Sequence, residues 1–122
     1  MRRIVGTLLG LVLLVGCTTP AAPQPTAGSR PPSATAVRVV EITLADGRAE
    51  PNGERLELAR GTTLELVITS DRHDSVHVHG YEVEIDAEPG ATVRGSIVLD
   101  RTGRYEVESH EPALTILQLI VS

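Results

Sequence analysis

The chain has 122 residues, room for one domain, a formal charge of −5, and two Tyr as its only aromatic residues. Sixteen acidic side chains and no Lys argue against a nucleic-acid partner, because a phosphate backbone is met by positive charge and aromatic planes. The same balance is unsuited to lying on anionic lipid, and without Phe or Trp the core must be built from Val, Leu and Ile.

The first element is a targeting segment. Met1, Arg2 and Arg3 form a short positive region, and Ile4 to Val15 is an apolar run of 12 residues, shorter than the roughly 20 that span a bilayer. This is the pattern of a secretory signal peptide. It ends in "LVGC" (Leu14 to Cys17), which resembles the bacterial lipobox. The resemblance implies cleavage after residue 16 and acylation of the Cys17 sulfur by palmitate-type chains, leaving a lipoprotein held on the outer face of the cell membrane. Cys17 is the single cysteine, so lipidation leaves no thiol for a disulfide, a zinc–thiolate site or a nucleophile.

Residues 17–36 begin with that cysteine and continue as "TTPAAPQPTAGSRPPSATA", five prolines among small or polar companions. The composition predicts a tether, partly polyproline II, with a reach of roughly 60 Å when extended. The remaining residues, 37–122, are the domain. They carry eight Arg against sixteen Asp or Glu, a formal −8.

Period-two alternation runs through the domain. "VRVVEITL" predicts a strand, and "ADGRAEPNG" a turn. "ERLELARGTTLELVITS" predicts two strands around Arg60-Gly61, and "DRHD" another turn. "SVHVHGYEVEID" predicts a strand to His79, a break at Gly80 and a second run through Tyr81, Val83 and Ile85. "RGSIVLD", "RYEVES" and "LTILQLIVS" complete the set, with turns at "AEPGATV", "RTG" and "HEPA". No helix is expected. Seven or eight short strands with turns every eight to twelve residues predict an all-β sandwich.

"EPNGERLELARGTTLELVITSDRHDSVHVHG", followed in step by "DAEPGATVRGSIVLDRTGRYEVESHEP", resembles a cupredoxin over nearly all of residues 37–122. The similarity is to the domain of cytochrome oxidase subunit II and to cupredoxin-like domains of periplasmic iron-uptake proteins. It implies a Greek-key β-sandwich, and by position it sets His77 at the family's first histidine ligand. Counting from Gly103, the family's cysteine position falls on Ser109, with His110 beside it. The downstream loop, "EPALTILQL", supplies neither the expected histidine nor a methionine. A blue-copper centre depends on a Cu–thiolate bond that a protonated serine hydroxyl does not replace, so a blue-copper electron carrier is excluded.

Histidines remain. Residues two apart on a strand point the same way, about 6.5–7 Å apart, so His77 and His79 can lean toward one ion, with His110 approaching from a neighbouring strand end. Three nitrogens with a carboxylate or water suit Cu(II), and alternatively Zn(II). Asp74 and Glu111 are the candidate carboxylates, and His73 in the turn is the weakest further nitrogen. The competing reading is a solvated strand face that merely contains histidine. Catalysis is not expected. Ser109 and His110 point to opposite faces and cannot pair as nucleophile and base, and no glycine-rich phosphate loop is present. The function expected is transition-metal binding, copper first, on a membrane-anchored domain. The alternative is a metal-free scaffold that contacts an envelope protein.

Overall fold

A computed structural model of the chain describes residues 35–122. The signal peptide, Cys17 and nearly all of the tether lie outside the described residues. Nine strands follow in chain order: β1 (Val37–Ala45), β2 (Arg48–Glu50), β3 (Glu54–Leu58), β4 (Thr63–Ser70), β5 (Asp74–His79), β6 (Val83–Ala87), β7 (Thr92–Val98), β8 (Gly103–His110) and β9 (Ala113–Val121). They form two sheets, ordered β2-β1-β4-β7 and β3-β9-β8-β5-β6. The β1–β4 and β3–β9 pairs are parallel and the other strand pairs antiparallel.

Alternation decides what faces inward. Ile42 and Leu44 of β1, Leu64, Leu66 and Ile68 of β4, Val76 and Val78 of β5, and Val107 of β8 are all buried between the sheets. Their intervening neighbours face water or the sheet's outer surface. β9 departs from strict alternation, because Ile116 and Leu117 are adjacent and both buried. The ladder explains this. Val107 pairs with Leu117 but Glu108 pairs with Thr115, so Ile116 is the extra residue of a β-bulge that turns it inward.

Two turns differ in detail from the sequence reading. "ADGRAEPNG" is not a single turn: Asp46 and Gly47, with φ of 52° and 68°, form a two-residue hairpin loop, and β2 returns along β1 to bury Ala49. Both loop residues sit in the left-handed region that this kind of tight hairpin needs. That short return raises the strand count to nine. At Gly80 the break is a tight turn that takes in Tyr81 and Glu82, so the next strand starts at Val83. The N–H groups of Tyr81 and Glu82 both donate to the Val78 carbonyl, at 3.2 and 3.0 Å. Gly80 has φ of 89°, and a Cβ there would lie 2.6 Å from Cδ1 of Tyr105. Glycine is therefore required on two grounds, conformation and space.

Candidate metal centre

The β5 strand carries polar chemistry on both of its faces. On the inner side, at the strand's start, Asp74 is fully buried. Its Oδ1 accepts from the backbone N–H groups of Ser75 (2.8 Å), His110 and Glu111 (3.1 Å each). Its Oδ2 accepts from Arg72 at 3.0 Å, and the Arg72 Nε donates onward to the Glu111 carbonyl. The carboxylate thus clamps the start of β5 to the β8–β9 turn. Beside it Ser109 is also buried, and its hydroxyl donates to the Pro112 carbonyl at 2.9 Å.

On the outer side the residues are Ser75, His77 and His79. Register sets their neighbours: His77 lies between Glu84 of β6 and Glu108 of β8, and His79 opposite Glu106. His110 is the diagonal neighbour of His77, within the reach expected of ring side chains across a sheet. The ring centroids of His77 and His79 are 5.1 Å apart, and those of His77 and His110 are 5.8 Å apart. His77 is the central ring and is largely covered, while His79 and His110 are exposed.

A fourth group reaches this face. The Gly80 turn places Glu82 in the left-handed region, with φ of 55°. One of its oxygens accepts from the Gly80 N–H at 3.0 Å, and the other stands 3.4 Å from Nε2 of His77. The Gly80 hydrogen bond, followed by the positive charge available on His77 and His79, holds the Glu82 carboxyl below the usual glutamate range. Glu82 was not singled out in the sequence. The signal was there in a residue forced into a tight turn three positions after His79, but only the turn type shows that its carboxylate folds back.

The three histidines of the sequence reading therefore come together around His77. Ser109 lies apart from them. Ser109 pairs with Val76 and is buried, whereas His77 pairs with Glu108, so His77 and Ser109 lie on opposite faces of the sheet. The side chain that shares the face of Ser109 at this end is Asp74. Asp74 also drops out as a metal ligand, since both its oxygens are committed to internal donors. Glu111 is exposed, and its backbone N–H serves the Asp74 clamp. His73 is exposed, and its Nδ1 stands 3.2 Å from Glu88.

The donor set bears on which metal chemistry fits. A blue-copper centre does not, because the described residues contain no cysteine to supply its thiolate. Beside the Ser75 hydroxyl, which donates to Glu84, the outer face offers imidazole nitrogen and carboxylate oxygen, the ligands of Cu(II) and Zn(II). As the side chains stand, no group of three or more such donors among the described residues converges on a single point. His79 and His110 are exposed.

Comparison with solved structures identifies the architecture. A multicopper oxidase from Pseudomonas thermotolerans superposes with a TM-score of 0.57 at 15% identity, over 73% of this chain and 30% of that one. A copper-binding protein solved in its apo form matches with a TM-score of 0.53 at 14% identity, over 75% of this chain and 93% of that one. A heme-copper terminal oxidase matches with a TM-score of 0.50 at 22% identity, over 70% of this chain and 65% of that one. The chain spans 30% of the length of that multicopper oxidase and 23% of a second, Fet3p. No protein-family profile matches the sequence. No curated protein matches it either. The fold is thus a cupredoxin-like β-sandwich of two mixed sheets.

Proposed function

We propose that this protein is a membrane-anchored extracytoplasmic lipoprotein whose cupredoxin-like domain binds a transition metal, copper first, through His77, His79 and His110. The observation that carries the reading is the approach of two imidazoles to the largely covered His77 ring, at 5.1 and 5.8 Å, on a face lined with carboxylates. The metal would supply a Lewis-acidic charge held by these residues. Glu82 would balance part of that charge, and Glu84 and Glu108 flank the same face. The role proposed is buffering, delivery or sensing rather than catalysis, with zinc as the alternative ion. The "LVGC" motif supports lipid anchoring at Cys17, and the Pro-rich stretch supports a domain held off the membrane.

A second reading keeps the fold without a metal, as a contact module for another envelope protein. What favours it is that, as the side chains stand, no three imidazole or carboxylate donors among the described residues converge on one point. Calorimetric titration of the full chain with Cu(II) and with Zn(II) separates the two. Under the first reading, His77→Ala/His79→Ala weakens binding by about tenfold or more, about 1.4 kcal/mol or more. Binding by the wild type also weakens below about pH 6.5, where free imidazole protonates. Equal, weak binding by wild type and variant supports the metal-free module.

A further inference from the structure

The two sheets meet along one side at β6 and β7, and on the other side at β2 and β9. On that second side β1 is hydrogen-bonded to β4 throughout Val37–Leu44, but its other edge meets β2 only at Thr43–Ala45. From Val37 to Ile42 that edge has no strand partner among the described residues. β3, at the end of the second sheet, pairs only with β9. Between these edges lies a crevice of about 480 Å3, within the ordinary range of about 300–1,000 Å3 for ligand clefts.

Exposed strand edges are commonly blunted with charged side chains, Pro or a bulge; Val37–Ile42 has no Lys, Pro or bulge, and its two charges, Arg38 and Glu41, are of opposite sign. Val37 and Val39 are 62% and 49% exposed, while Val40, Leu56 and Leu117 form an apolar floor. Around the mouth stand Glu41, Glu50 and Glu54, with Arg38 as the only cation of the lining. None of these four charges is in a salt bridge among the described residues. The crevice thus combines free backbone groups, an apolar floor and unbalanced negative charge.

We infer that the β1 edge is a docking site for an extended, basic segment of another protein, which adds to the sheet as a strand. Main-chain hydrogen bonds to Val37–Ile42 would supply affinity, as in other strand additions. Alternate aliphatic side chains would enter over Val40 and Leu56, and Arg or Lys would meet Glu41, Glu50 and Glu54. A second copy of this chain is disfavoured as the occupant. It would bring its own rim of carboxylates to the same mouth, on a domain of formal charge −8, eight Arg against sixteen Asp or Glu. The site uses strands other than those that carry the histidines, so it stands whether or not a metal binds.

The test uses the full chain and a blocked seven-residue peptide alternating arginine with valine, beside the same peptide with glutamate for arginine. Affinity is read by calorimetry and location by backbone hydrogen exchange. The proposal expects the arginine peptide to slow exchange within Val37–Ile42 at least tenfold and to bind at least tenfold more tightly than the glutamate peptide. Glu50→Arg/Glu54→Arg, at two exposed positions, should weaken the arginine peptide at least tenfold while exchange in β8 stays as in wild type. Equal binding of the two peptides, or protection confined to other strands, would overturn it. So would a free chain whose β1 edge is already protected, whether by a second copy detected in sedimentation or by residues 18–34, detected as peptide binding gained on their deletion.

Discussion

The two faces of β5 are built from the same six residues and do opposite work. Inward, Asp74, Val76 and Val78 are buried, and the one charge among them is matched by four donors. Outward, Ser75, His77 and His79 sit among Glu82, Glu84, Glu106 and Glu108, with His110 beside them. A buried carboxylate is tolerated only when fully bonded, which fixes Asp74 in place and removes it from binding chemistry. An exposed imidazole has no such obligation, so its electron pair is available to a ligand. Commitment to the fold and availability for function thus separate by residue parity along one strand.

Substitutions on each face sharpen that contrast. The largest effect is expected of Asp74→Ala, which leaves Arg72 and three backbone N–H groups without their acceptor. Urea unfolding should show a loss of about 3 kcal/mol or more. Next comes Gly80→Ala, which places a side chain at φ of 89° and against the Tyr105 ring. A loss of about 1–3 kcal/mol is expected in the same assay. On the outer face, His79→Ala should change stability by no more than about 0.5 kcal/mol, because the ring is exposed. A cost near that of Asp74→Ala would erase the distinction between the two faces.

The smallest effect concerns pH. The folded state holds the Glu82 carboxyl below its ordinary value, so its ionised form contributes stability above the unfolded value, about pH 4.3. That contribution is lost as pH falls through the lower, folded value. The melting temperature of Glu82→Gln should therefore lie slightly below wild type at pH 7 and converge with it below about pH 4. A gap that stays open well below pH 4 would contradict the assignment.

Much of the architecture was legible because side-chain periodicity and burial are the same fact in a strand. Leu64, Leu66 and Ile68 alternate with Glu65 and Val67, and the buried set follows. What failed were features set by backbone geometry. β2 was hidden in "ADGRAEPNG", although Asp-Gly is a strong two-residue hairpin signal. The bulge at Ile116 is invisible in "LTILQLIVS", since its cause is the register against β8. At the site, the pairing of His77 with His79 followed from their spacing, and the approach of His110 from the resemblance. That His77 and Ser109 lie on opposite faces is set by the ladder, which pairs Ser109 with Val76 and His77 with Glu108. The place of Glu82 is not legible in the sequence, because a left-handed turn, not a strand, directs its carboxylate.

The central claim is that the outer face of β5 and β8 presents imidazoles to one ion. Electron paramagnetic resonance of the full chain loaded with one equivalent of Cu(II) tests it most directly. The account predicts nitrogen hyperfine structure from at least two imidazoles, lost in His77→Ala/His79→Ala and reduced in His110→Ala. A Cu(II) spectrum unchanged by these substitutions, or one with oxygen ligands alone, would contradict it.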